Sequence, residues 1–135
     1  MPISRYQIRE NIITCIYDNL IYEKGNLDYD VNKTLLNIFK VEKLEDLDLF
    51  TKQIYLSCYK HREEIIKLVQ SKLVKWQFNR LNLLSQALFI EVVAEGKFEN
   101  LTSKPILIDF AVDYAKKFLS SKDYKYINAV LDRIL

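Results

Sequence analysis

Residues 79–94, Asn79-Arg80-Leu81-Asn82-Leu83-Leu84-Ser85-Gln86-Ala87-Leu88-Phe89-Ile90-Glu91-Val92-Val93-Ala94, decide the fold. Wound as a helix, Leu81, Leu83, Leu84, Ala87, Leu88, Phe89, Ile90, Val92 and Val93 cover nearly the whole circumference. A helix that is apolar on all sides must be surrounded, either by other helices or by lipid. This one is shorter than the roughly 20 apolar residues a bilayer span needs, and polar side chains interrupt it. It therefore predicts a central helix enclosed by the rest of the chain.

The flanking sequence supplies the enclosure. Ile8, Ile12, Ile16 and Leu20 recur every four residues, with Ile13 and Tyr17 widening the stripe, so a first helix is expected from Ser4 to Tyr22. Ser4 is its expected N-cap, and Gly25 with Asn26 its stop. Val31, Leu35 and Phe39 mark a short second helix capped by Asp30. The acid- and leucine-rich run from Val41 to Asp48 is expected to bend the chain into a third helix, which keeps the helical period from Asp48 to about Tyr59 through Phe50, Ile54 and Cys58. After a break near Lys60 and His61, Ile65, Val69, Leu73 and Trp76 predict a helix from Arg62 to Trp76. A loop over Gly96–Ser103 leads to a helix with Pro105 in its first turn, where the missing N–H is harmless. Its inward face is expected to be Leu107, Phe110, Ala111, Tyr114 and Phe118. A last helix beginning near Asp123 buries Tyr126, Ile127, Val130, Leu131 and Ile134.

Composition agrees. The 135 residues are 50% hydrophobic and 28% charged, with two glycines and two prolines. That is too few turn-formers for an all-β domain, and it points to long helices with short connections in a single domain, residues 1–135. No signal-peptide layout or membrane span is read, so a cytoplasmic protein is expected. Cys15 and Cys58 lie among apolar neighbours and are read as reduced core thiols. The net charge of +2 is uneven. Residues 1–50 hold six basic and nine acidic side chains (−3), and residues 51–135 hold fourteen and nine (+5). Such an imbalance suits a face turned toward a polyanion.

The chemistry of catalysis is not legible. His61, the single histidine, lies between Lys60 and Arg62 with no assignable nucleophile or orienting acid, and reads as a surface residue. No metal-ligand spacing and no glycine-rich phosphate loop is present, so no catalytic residue, metal or cofactor is expected. Glu63 and Glu64 read as a solvated helix face. Nine tyrosines remain. Most belong to a core with the hydroxyl at the surface. Tyr6 beside Arg5, Tyr59 beside Lys60, and Tyr124 and Tyr126 around Lys125 interleave rings with cations, a composition that suits single-stranded RNA. The segment SSKDYKYIN, residues 120–128, carries that pattern most strongly.

Three segments resemble the NusB family. Ala115-Lys116-Lys117-Phe118 followed by Tyr126-Ile127-Asn128-Ala129-Val130-Leu131-Asp132-Arg133-Ile134 is similar to the family's A-K-K-F-G and F-V-N-G-V-L-D-K-I, with the interval kept. Trp76, Arg80 and Leu81 fall on W-x-x-x-R-L, and Glu95 on the glutamate of a Y-E pair. Ser4-Arg5, Arg9-Glu10 and Tyr17 resemble the arginine-rich opening R-R-x-A-R-E-x-A-L-Q-x-L-Y. The same fold occurs as the N-terminal module of some rRNA cytosine methyltransferases. The chain ends where that module would, so no catalytic domain is expected.

The resemblance implies an all-α fold, a NusB-like bundle of about seven helices in two packed helical subdomains near residues 1–75 and 76–135. It implies a non-enzymatic transcription antitermination factor that binds single-stranded boxA-like RNA together with NusE, a small-subunit ribosomal protein. Other Nus factors or RNA polymerase would be further partners, and the protein would be a monomer or homodimer. Carried onto matching positions, Arg5, Arg9 and Tyr17 become RNA contacts, with Lys122, Lys125 and Tyr126 continuing the surface. Arg5 and Arg9, four apart, would share a helix face and grip adjacent phosphates. The sequence departs from the family pattern at Tyr6, where a second arginine is expected, at Gln7, at Ser85-Gln86 in place of D-R, at Ile90, and at Asp109-Phe110 in place of N-E. Pro105 stands two residues past the family's proline. The alternative is a NusB-fold protein-interaction module that has lost boxA recognition. The two differ in salt response, because phosphate contacts release counterions and an apolar interface does not.

Overall fold

A computed structural model describes residues 3–135. Among them are seven α-helices and no strand: α1 Arg5–Lys24, α2 Val31–Phe39, α3 Leu49–Lys60, α4 Arg62–Lys72, α5 Leu83–Val93, α6 Lys104–Phe118 and α7 Ser121–Ile134. The central helix is α5. Ala87, Leu88, Phe89, Ile90, Val92 and Val93 are all buried, and α1, α3, α4, α6 and α7 pack around it.

Local chemistry sets most of the helix starts. Ser4, Asp30, Asp48 and Asn82 each accept a hydrogen bond from a backbone N–H in the first turn of α1, α2, α3 and α5. In front of α7, Ser120 and Asp123 form a reciprocal capping box. Past the end of α1 it is Asn26 that adopts the left-handed conformation, at φ 55°, and not Gly25. Long-range pairs fasten the shell. Arg62 grips Glu23 with two hydrogen bonds of 2.8 and 2.7 Å, joining the start of α4 to the end of α1 and holding the Glu23 carboxyl below its usual range. Cys15 and Cys58 are buried free thiols, as read from the sequence.

The Val41–Asp48 run holds a 3₁₀ turn, Leu44–Asp46, and leads into α3, which Asp48 caps, as expected. Three expectations are corrected. Helix α4 ends at Lys72 rather than Trp76. Gln70 terminates it by acting as a surrogate backbone: its Nε2 donates to the Trp76 carbonyl at 3.0 Å, and its Oε1 accepts from the Phe78 N–H at 2.7 Å. Trp76 consequently leaves the core and is 57% exposed. Helix α5 does not stop before Gly96 but widens into a π turn over Ala94–Phe98. A Cβ on Gly96 would lie 2.6 Å from a Leu107 methyl and 2.9 Å from one of Leu135, so this close approach uses glycine. Phe118, finally, is 55% exposed, because α6 ends at it and the chain turns away. The cluster of buried apolar side chains includes residues on both sides of Leu73.

Candidate nucleic-acid interface

Four helix ends, those of α1 and α6 and the starts of α5 and α7, converge beside Tyr17. Tyr17, 36% exposed on α1, lines an open groove of about 440 Å³ with Lys24, Asn82, Leu83, Leu84, Phe118, Leu119, Ser120 and Asp123. Asn82 and Ser120 are the N-caps of α5 and α7, so two positive helix-dipole ends open here. The Asp123 carboxylate is engaged, accepting from the Ser120 N–H and Oγ at 3.3 and 3.0 Å. Exposed Lys122 and Lys125 follow on the first turns of α7. Two exposed aromatic rings, nearby lysines and two helix N-termini suit stacked bases and phosphates.

The opposite flank of Tyr17 is different. A groove of about 690 Å³ between α1 and α2 is lined by Asp18, Asp28 and Asp30 together with Tyr22, Tyr29 and a single cation, Lys33. Its negative charge repels a polyanion and bounds the cationic face.

The remaining sequence candidates fall apart in space. Arg5 is exposed at the first residue of α1, its guanidinium carbon 3.5 Å from the centroid of the Phe50 ring. It stands twelve residues before Tyr17, about 18 Å along the helix. Arg9 does not share its surface. It is 6% exposed, and its guanidinium closes on Glu95, with Nε 3.0 Å from both carboxylate oxygens and Nη2 2.8 Å from Oε2. Thr102 also donates to Glu95. Tyr126 is half-buried and turns toward the end of α4, lining a separate groove with Trp76.

Two departures from the family pattern turn out to be partners. Tyr6, where an arginine was expected, meets Phe110, where a glutamate was expected, edge to face with centroids 4.9 Å apart. The Tyr6 hydroxyl donates to Asp113 and accepts from Lys117 Nζ at 2.9 Å. Near the Arg9–Glu95 pair, Glu91 is fully buried, with no hydrogen-bond partner on either oxygen among the described residues. Burial, and then the neighbouring Glu95 charge, push its pKa well above the ordinary carboxylate value and favour the protonated form.

Sequence reasoning missed Lys24 and Asn82 as groove residues and assigned Phe118 and Trp76 to the core. Periodicity alone could not have separated them, because Phe118 sits four residues after buried Tyr114. Among the described residues no group of three or more His, Cys, Asp or Glu is placed to hold a metal ion, and no helix is long and apolar enough to cross a membrane.

The sequence matches the model of the NusB family over residues 6–135. It is 27% identical over 134 residues to the transcription antitermination protein NusB of Finegoldia magna, covering 98% of this chain and 93% of that protein. It is 30% identical over 117 residues to the protein of the same name from Borreliella burgdorferi, covering 78% and 82%. Among solved structures, T. maritima NusB superimposes with a TM-score of 0.80 at 24% identity, over 99% of this chain and 92% of that one. A crystal structure of antitermination factors NusB and NusE in complex with dsRNA matches with a TM-score of 0.76 at 19% identity, over 98% and 97%. With the helical bundle, the conserved spacing and a match over nearly its whole length, this chain belongs to the NusB family.

Proposed function

We propose that the protein is a transcription antitermination factor that binds boxA-like single-stranded RNA together with NusE, in the cytoplasm, by contact and not by catalysis. The observation that carries this reading is the groove beside Tyr17, where exposed Phe118, Lys24 and the capped starts of α5 and α7 converge next to Lys122. Its relatives carry the antitermination name, and one structural neighbour was crystallised with NusE and double-stranded RNA. RNA would cross Tyr17 toward α7, kept from the α1–α2 groove by Asp18, Asp28 and Asp30.

A second reading, a protein-interaction module without boxA recognition, draws on one observation. Arg9 is withdrawn into the core, and Tyr6 replaces a cation, so Arg5 is left as the exposed basic residue at the start of α1. Fluorescence anisotropy of a labelled boxA-type RNA, with and without NusE, separates the two. The expected result is tighter binding with NusE and an affinity that falls steeply with salt. Absence of NusE-dependent binding at low salt overturns the first reading.

A further inference from the structure

Trp76, the one tryptophan of the chain, is exposed on a backbone held in place by Gln70. Gln70 holds its backbone carbonyl and the N–H of Phe78, and the Phe78 ring is buried just beyond. Beside the indole a groove of about 240 Å³ runs between the end of α4 and α7, lined by Lys72, Lys75, Tyr126 and Arg133 among others. No carboxylate lines it. None of its three cations is in a salt bridge among the described residues.

This groove is joined to the face at Tyr17 by α7 itself. At about 100° per residue, Lys122, Lys125, Ala129 and Arg133 fall within an arc of roughly 80°, and all four are exposed. The acids beside that stripe are engaged: Asp123 caps the helix, and Asp132 pairs with Lys104 at 3.1 Å. Lys122 to Arg133 spans about 16 Å. The path therefore runs from two helix N-termini, along Lys122, Lys125 and Arg133, to an exposed aromatic ring that Lys72 and Lys75 also flank.

We propose that single-stranded RNA extending beyond the element held at Tyr17 follows this stripe and stacks a base on Trp76, with Lys72, Lys75 and Arg133 on the flanking phosphates. The proposal rests on the RNA-binding reading above. The observations favour RNA over a protein occupant. Lysine is depleted at the cores of protein interfaces, whereas an exposed ring set among free cations is the composition of a single-strand platform. Stacking tolerates any base, so this contact lengthens the bound RNA without adding sequence specificity.

Trp76 is its own reporter. The full-length protein, with NusE, is titrated with a minimal boxA-type RNA and with the same RNA extended by uridines at its 5′ or 3′ end. One extended RNA is expected to quench the Trp76 fluorescence and to bind at least about fivefold more tightly than the minimal one. Trp76→Ala should erase that gain and leave minimal-RNA affinity unchanged, Trp76→Phe should restore most of it, and Lys75→Ala should lower its salt dependence. If both extended RNAs bind the wild type like the minimal one, without quenching, the inference is overturned and the RNA-binding reading stands. If Trp76→Ala weakens NusE binding and not RNA binding, the groove docks protein and the inference is overturned. If no RNA binds at all, both fall.

Discussion

Arg9 and Glu95, 86 positions apart, are joined by a forked ion pair in a buried site. The pair pins the start of α1 to the π turn after α5. Removing one partner strands a buried charge, which typically destabilises by about 3–5 kcal/mol. Arg9→Ala is expected to lower the urea midpoint by that order, and Arg9→Lys to recover only part, because an ammonium cannot reproduce the fork. Chemical denaturation measures it. An Arg9→Ala protein of wild-type stability with weakened RNA binding would return Arg9 to the phosphate-contacting role.

Tyr6 and Phe110 make a testable couple. Phe110→Glu alone buries a charge, and Tyr6→Arg alone loses the edge-to-face contact. The double variant Tyr6→Arg/Phe110→Glu should be more stable than the sum of the two changes by about 0.5–3 kcal/mol, the usual coupling of contacting residues. A double-mutant cycle reads this directly. Additive effects would show that the two family departures are independent.

Glu91 gives the fold a pH dependence of known sign. A carboxyl whose folded-state pKa is raised binds its proton more tightly in the folded chain. Its contribution is complete below the ordinary value of 4.5 and is lost as pH rises from there toward the raised value. Glu91→Gln, neutral at every pH, is therefore expected to melt higher than wild type at pH 8, with the gap closing toward pH 4.5. Thermal melts across that range check it, and a pH-independent gap would sink the idea.

Lys122 and Tyr17 are separable by salt. Lys122→Ala should weaken every RNA by a similar factor and reduce the slope of log affinity against log salt by about 0.7, the single-strand value for one phosphate contact. Tyr17→Ala should weaken binding and leave the slope unchanged, since stacking releases no counterion. Anisotropy titrations at several salt concentrations distinguish them.

Much of the bundle was legible because helices start and stop by local rules. Ser4 and Asp30 cap where a hydroxyl or carboxylate beside an apolar stripe predicts, and α5 is central because no face of it is polar. Locality fails where a distant partner or a side chain replaces the backbone. Gln70 stops α4 with its own amide, and nothing in the Leu73–Gln77 text announces it. The π turn at Ala94–Phe98 likewise sets Gly96 against Leu107 and Leu135, neighbours that are distant in sequence.

For the interface, sequence by itself determined the residue types: basic and aromatic side chains concentrated at the start of α1 and around residues 120–128, in a family frame. Only the tertiary structure decided which of them face water. Helical period places Arg5 and Arg9 on one face, but it cannot show that Glu95 waits opposite Arg9. Nor can it show that α6 ends under Phe118, or that Trp76 has left the helix that would have buried it. Burial depends on what the other helices bring to a position, and that is settled only when they pack.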